Sequence, residues 1–201
     1  MSPLDATAAL TCDVFSAWTK WPTLNDTICR AADEQGRTFA YARFVDRLFR
    51  RSTPVLAGEG GHELLRILRP PENMRLARIH DSVPPTDTVY VVTDAISGDR
   101  AGVVQKPWLK GALRERWILR DATWNETARL EQTSPFWSLV RTLATSLPSH
   151  FAFSRDSRSL GTVRGNWYLA RRKYSVDLRD DAARELDPRL VMALVIVLPA
   201  Q

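Results

Sequence analysis

The residues in this chain best suited to acid–base or metal chemistry are His62, His80, His150 and the acidic run DLRDDAARELD from Asp177 to Asp187. The three histidines are scattered through loop-like contexts and form no catalytic constellation with a carboxylate or a cysteine, so they read as solvated or structural. Gly58, Gly60 and Gly61 in AGEGGHE are followed neither by a helix nor by a Lys-Ser/Thr pair, which makes this stretch a hairpin turn rather than a phosphate loop. A calcium ion would draw on Asp177, Asp180 and Asp181. The run lacks the alternating Asp ladder and the glycine of a calcium-binding loop, and Arg179 and Arg184 interrupt it, so it reads as a solvated strand-to-helix loop. No cofactor is implied and the chain is expected not to be an enzyme.

The basic residues remain. They fall in clusters: Arg47, Arg50 and Arg51; then Lys106, Lys110, Arg114 and Arg116; then Arg164, Arg171, Arg172 and Lys173. The chemistry they suit is the binding of phosphate head groups. A cation near an anionic membrane surface is worth about 1 kcal/mol, so several together hold a protein there reversibly. The competing reading is that Arg and Lys alternating with aromatic residues on strand exteriors keep the protein soluble and protect sheet edges.

These clusters sit in repeated units. SLGTVRGNWYLARRKYSVDL (Ser159 to Leu178) aligns with RAGVVQKPWLKGALRERWILRD (Arg100 to Asp121), pairing Gly161 with Gly102, Val163 with Val104, Trp167 with Trp108 and Tyr174 with Trp117. A fainter copy runs from Gly36 to Leu68, with Phe44 in the tryptophan position. Each unit is a turn containing Asp or Gly, an alternating strand, a basic connection and a second alternating strand. Trp117 and Leu119 alternate with Arg116, Ile118 and Arg120; Tyr174, Val176 and Leu178 alternate with Ser175, Asp177 and Arg179. Ile118 is the apolar exception on the outer face. The units predict three β-hairpins at roughly 60-residue spacing.

Two segments differ in kind. TSPFWSLVRTLATSLP predicts an amphipathic helix packed outside the sheet, with Ser134 as cap, Pro135 first in the helix, and Phe136, Leu139, Val140, Leu143 and Leu147 on one face. Leu190 to Leu198 is apolar without a break. This run is far short of the roughly 20 residues that a bilayer crossing needs. Asp187 as N-cap and Pro188 at the first position start a helix over 187–199, and a helix apolar all round must be buried all round. The stretch from Pro70 to Asp87, proline-rich at both ends, is a linker or excursion. Residues 1–25 form an N-terminal extension in which Phe15, Trp18 and Trp21 either cap one end of the fold or belong to a short helix from about Leu4 to Lys20.

Taken together, GTVRGNWYLARRKYSVDL and LDPRLVMALVIVL give residues 26–201 a resemblance to the tubby-like superfamily, within it to the phospholipid scramblase and LURP-one-related branch, particularly bacterial stand-alone members. The resemblance implies a mainly β fold, a closed antiparallel barrel of about twelve strands around the hydrophobic C-terminal helix. It also implies phosphoinositide or other anionic-lipid binding. The proline- and cysteine-rich N-terminal segment of animal scramblases is absent, which counts against direct scrambling.

Composition sets the outer bounds. The 201 residues, 44% hydrophobic and 25% charged, suffice for one substantial core. A net charge of +5 favours an acidic partner such as a membrane surface. Cys12 and Cys29 form no disulfide framework or zinc motif, and MSPLDATAAL has no basic n-region before an apolar core, so the expected location is the cytoplasm, peripheral at the inner membrane face. The alternative to a lipid module is a protein-interaction scaffold using Trp124, Trp137 or the Pro70–Asp87 excursion; nucleic acid has less to recommend it, for the basic residues lie in strand connections without a recognised motif.

Overall fold

A computed structural model describes residues 9–18, 25–33, 35–45, 52–57, 61–70, 84, 87–107, 115–133, 149–168, 171–181 and 183–198. Within them the chain makes β1 (Ala9–Trp18), β2 (Asn25–Ala32), β3 (Thr38–Val45), β4 (Ser52–Leu56), β5 (Glu63–Leu68), β6 (Thr88–Asp94), β7 (Arg100–Lys106), β8 (Arg116–Asp121), β9 (Glu126–Gln132), β10 (Ser149–Arg155), β11 (Arg158–Tyr168) and β12 (Arg171–Asp177). One helix, α1 (Pro188–Val197), follows. Each strand pairs antiparallel with its neighbours in sequence, and β1 bonds to β12 on one side and to β2 on the other, which closes the order into a barrel.

Twelve strands spaced about 4.8 Å apart enclose a ring at least roughly 18 Å across, too wide for inward side chains alone to fill. A helix about 10 Å in diameter fits inside once the wall contributes a layer of side chains. The sequence supplies it. Every residue from Leu190 to Leu198 is buried, and they share one core cluster with inward residues of β2 through β12, among them Ala40, Leu65, Trp117, Phe153 and Val176. Asp187 accepts a hydrogen bond from the Arg189 amide at 2.8 Å and Pro188 opens the helix, the start that its sequence predicts.

The barrel closes around the N-terminal end of α1 through a device that alternation alone does not reveal. All five β-hairpins at that end carry a β-bulge, always in the second strand. Phe39 is the extra residue in β2–β3, Leu64 in β4–β5, Ala101 in β6–β7, Thr127 in β8–β9 and Leu160 in β10–β11. A bulge bends its strand and sharpens its twist. It also brings two successive residues to the interior, so Leu64 with Leu65, Ala101 with Gly102 and Leu160 with Gly161 are all buried. Gly102 and Gly161, aligned in the repeats, occupy equivalent places just after their bulges. A β-carbon on Gly102 would lie 2.2 Å from the Arg120 carbonyl oxygen and 3.0 Å from Leu190 Cδ1; on Gly161 it would lie 2.4 Å from the Asp177 carbonyl oxygen.

The three predicted hairpins are β3–β4, β7–β8 and β11–β12, four strands apart around the ring. The N-terminal segment departs from expectation: β1 is a strand of the barrel itself, which removes the helix alternative for Phe15 and Trp18 and carries the domain back into residues 1–25. Trp21, the predicted helix at 134–148 and most of Pro70–Asp87 lie outside the described residues. The wall is apolar inward, while Arg66, Arg129, Arg164 and Lys173 are exposed outward, the reverse of a transmembrane barrel, whose lipid-facing band tolerates such charges poorly. Among the described residues no helix is long and apolar enough to cross a membrane.

Candidate functional site

An antiparallel ring sorts its connections strictly by end. Connections 19–24, 46–51, 69–87, 107–115, 133–148 and 169–170 leave from the end where α1 terminates, the mouth; 33–37, 57–62, 95–99, 122–125, 156–157 and 178–187 leave from the end where it begins. The two ends differ sharply in charge. Mouth connections carry ten Lys and Arg against five Asp and Glu, whereas those at the opposite end carry three against nine. Aromatic residues follow the same division, with Trp21, Phe49, Trp108, Phe136 and Trp137 in mouth connections and Trp124 alone at the other end.

The acidic end has a structural explanation. Asp33 accepts from the amides of Gln35 and Arg37, Asp94 from Ile96 and Ser97, and Asp121 from Thr123 and Asn125, so each carboxylate closes a hairpin turn. The Ser97 amide, with the Ile96 amide and the Arg189 guanidinium, holds the Asp94 carboxyl below its ordinary range despite partial burial. Two of the three calcium candidates, Asp177 and Asp181, are engaged in the fold in the same way. Asp177 is paired with Arg179, whose hydrogen bond brings its pKa down to about 2. Asp181 is buried and accepts from the amides of Glu185 and Leu186 at 2.8 and 2.9 Å, while Asp180 is exposed. Among the described residues no group of three or more His, Cys, Asp or Glu is placed to hold a metal.

Of the eight predicted head-group residues, the structure describes the side chains of four, Lys106, Arg116, Arg164 and Lys173. Lys106 lies 3.6 Å from Glu115 and 5.1 Å over the Trp117 ring, at the inner rim of the mouth. The Arg116 side chain, 18% exposed, pairs across β8–β9 with Glu131 at 3.1 Å. Both therefore have internal partners. Arg164 and Lys173 are exposed on adjacent strands, in register with Ser175 and Asn166, and Arg164 adds to the positive field at Asp177. Arg171 and Arg172 begin β12 at the mouth; their side chains, and the whole of Lys110 and Arg114, lie outside the described residues, as do Arg47, Arg50 and Arg51. Arg116 and Lys173 are structural equivalents, each preceding an inward aromatic residue, Trp117 or Tyr174.

One correction concerns exposed chemistry. Trp124, expected to meet a partner, is 7% exposed: it packs on Val89 and Val103 on the outside of the wall with Arg100 over its ring at 5.5 Å. Ile118 is buried on that outer face as well. Beside them Arg120 donates to Gln105 at 2.8 Å and Gln105 to Asp87 at 2.6 Å, a buried polar chain that nothing in the alternation pattern signalled. His62 and His150 are exposed, and His80 lies outside the described residues. An open groove of about 450 Å³ runs between β9 and β10, where Arg129 is paired with Glu126 and Arg155 with Glu185.

Comparison with protein-family models, curated proteins and solved structures found no match.

Proposed function

We propose that this protein is a non-catalytic, peripheral binding module for anionic phospholipid head groups, related to the tubby-like and scramblase-related barrels that its repeats resemble. The observation that supports this reading is the sorting of basic and aromatic connections to one end of the barrel. Cations draw an anionic surface closer, and tryptophan and phenylalanine suit the boundary between head groups and acyl chains. The helix buried in the wall is core, so lipid transfer through insertion of that helix is not part of the proposal.

The test is sedimentation of the purified protein with neutral and with anionic liposomes, at low and high salt, beside the variant R171E/R172E/K173E. Binding that requires anionic lipid, falls with salt and weakens in the variant supports the reading. Indifference to anionic vesicles at low salt overturns it, and leaves the protein-interaction scaffold as the alternative to pursue.

A further inference from the structure

Several outward arginines of this wall are matched to carboxylates, Arg66 to Glu63, Arg116 to Glu131 and Arg129 to Glu126. Arg164 and Lys173 depart from that arrangement. Both are exposed, and neither makes an ion pair among the described residues; Asp177, the acid on which the charge of Arg164 acts, is already bonded by Arg179. Strand register accounts for this. Arg164 on β11 stands between His150 of β10 and Ser175 of β12, and Lys173 on β12 stands opposite Asn166 of β11. On its other side Lys173 meets Asp13 of β1 in register, with Arg30 of β2 beyond, so that row carries two cations to one carboxylate. His150, Arg164, Asn166, Lys173 and Ser175 are all exposed, while Phe151, Val163, Tyr174 and Val176 between them are buried, so the five side chains share the outer face. Directly opposed β-carbons lie about 5 Å apart and diagonal ones, such as those of Arg164 and Lys173, roughly 7 Å. A guanidinium and an ammonium at that separation can meet on one anion.

From this juxtaposition we propose that the outer wall of β11 and β12, just below the mouth, carries a site for a single phosphate group. Arg164 and Lys173 supply the charge, while Asn166 donates an amide hydrogen and Ser175 a hydroxyl hydrogen to the phosphate oxygens. The guanidinium offers a planar fork of donors and the ammonium a compact charge, so the two complement each other on one tetrahedral anion. Asn166 and Lys173 are each third from the mouth end of their strand, which sets the site beside the basic connections and lets a bilayer touch both at once. The proposal deepens the head-group reading above and rests on it for the source of the phosphate, a membrane lipid. A soluble phosphate ester presents the same group, and the experiment separates the two sources.

Two probes test this: partition onto phosphatidylcholine vesicles containing phosphatidic acid, and titration with soluble glycerol 3-phosphate followed by the backbone amide shifts of β11 and β12. R164Q/K173Q should lower vesicle partition about thirtyfold, at about fivefold per cation, and abolish the shifts. N166A/S175A leaves the charge untouched and should weaken both by about threefold or more. R66Q removes a cation from β5, six strands away on the opposite side of the ring from β11, and should change neither. Circular dichroism and thermal melting confirm that each variant is folded. The proposal is overturned if R164Q/K173Q binds as R66Q does, if N166A/S175A binds as the wild type does and so leaves only diffuse charge, or if the wild type binds neither probe. Vesicle binding that survives R164Q/K173Q overturns the site and leaves the lipid reading standing. Binding of glycerol 3-phosphate that R164Q/K173Q abolishes, without any vesicle binding, supports the site and overturns the lipid reading.

Discussion

Arg189 Nη1 lies 3.2 Å from Asp94 Oδ2, joining the first turn of the plug helix to the β6–β7 turn across 95 residues of sequence. The same guanidinium bonds Asp187, the helix N-cap, at 2.7 Å, and together the two carboxylates raise the pKa of the arginine. Asp94 has a second task, accepting the Ile96 and Ser97 amides. Asp94→Ala should therefore destabilise the protein by about 1–3 kcal/mol, chiefly through two turn amides left without their acceptor, since Arg189 keeps Asp187. Arg189→Met should cost less, within about 1 kcal/mol, since its packing persists and Asp94 keeps its amides. Urea unfolding of both variants checks the order; the reverse order would assign the latch to the ion pair instead of the turn.

Acid should weaken this fold through carboxylates with depressed pKa values. Asp177, at about 2, sits below the ordinary value near 3.9, and Asp94 and Asp121 are shifted the same way, Asp121 chiefly by the Thr123 hydroxyl. A lowered folded-state pKa gives stability that is present above the unfolded value and lost as pH falls through the folded one. The urea midpoint should thus be flat above about pH 5 and decline toward pH 2. Asp121→Asn, which keeps one acceptor oxygen, should flatten part of that decline; an unchanged slope would place the acid sensitivity elsewhere.

Gly102 and Gly161 are fixed by the backbone that faces them. Because the atoms nearest to an added β-carbon are carbonyl oxygens of the paired strand, no side-chain rotation relieves the overlap. Gly102→Ala must also shift the end of the Leu190 side chain, in the first turn of α1, by a few tenths of an ångström. Each alanine variant should lose about 3 kcal/mol or more, beyond the usual overpacking range, whereas Gly98→Ala, with nothing within 4 Å, should lose only the cost of its left-handed backbone, about 1 kcal/mol. Thermal denaturation ranks the three.

Trp124 has φ of 71° and donates its amide to the Asp121 carbonyl at 3.1 Å, the place that Gly36 takes with Asp33 at 3.0 Å. A left-handed tryptophan is strained, and here its burial against Val89 and Val103 offsets the strain. Trp124→Gly releases roughly 1–2 kcal/mol of backbone strain but forfeits roughly 3–5 kcal/mol of packing, for a net loss near 2 kcal/mol. A more stable glycine variant would mean that the outer apolar contact contributes little.

What the sequence disclosed follows from which signals are local. Nine successive apolar residues after Asp187 and Pro188 announce a buried helix with no tertiary knowledge, and the aligned Gly102 and Gly161 announce repeated hairpins. The bulges were hidden because their mark is only a doubled apolar position, Leu64-Leu65 or Leu160-Gly161, inside an otherwise alternating strand. β1 was ambiguous because ALTCDVFSAW alternates imperfectly, and its pairing with β12 is a contact between the two ends of the chain. The basic residues were visible as clusters, yet their distribution around the mouth depends on strand order, and the capture of Arg116 by Glu131 depends on β8–β9 register. Trp124 looked exposed because a polar turn surrounds it; its burial comes from the outer faces of β6 and β7.

The ring is not equally strong all round. Among the described residues β3 and β4 pair through Tyr41 with Leu56 and Ala42 with Val55, whereas β1 and β2 pair through eight residues each. Pro54 explains part of this, since it has no amide hydrogen to give and sits where Arg43 would otherwise be its partner. With the fewest cross-strand pairs among the described residues, this seam should open before the rest of the barrel does. Amide hydrogen exchange should find Ala42, Val55 and Leu56 exchanging by local opening, at rates insensitive to mild denaturant, while Val104, Leu119 and Val176 exchange only on global unfolding. Pro54→Val restores the donor and should slow exchange across β3–β4 alone. Uniform protection around the ring in the wild type would show that side-chain packing against α1, and not strand pairing, sets the local stability.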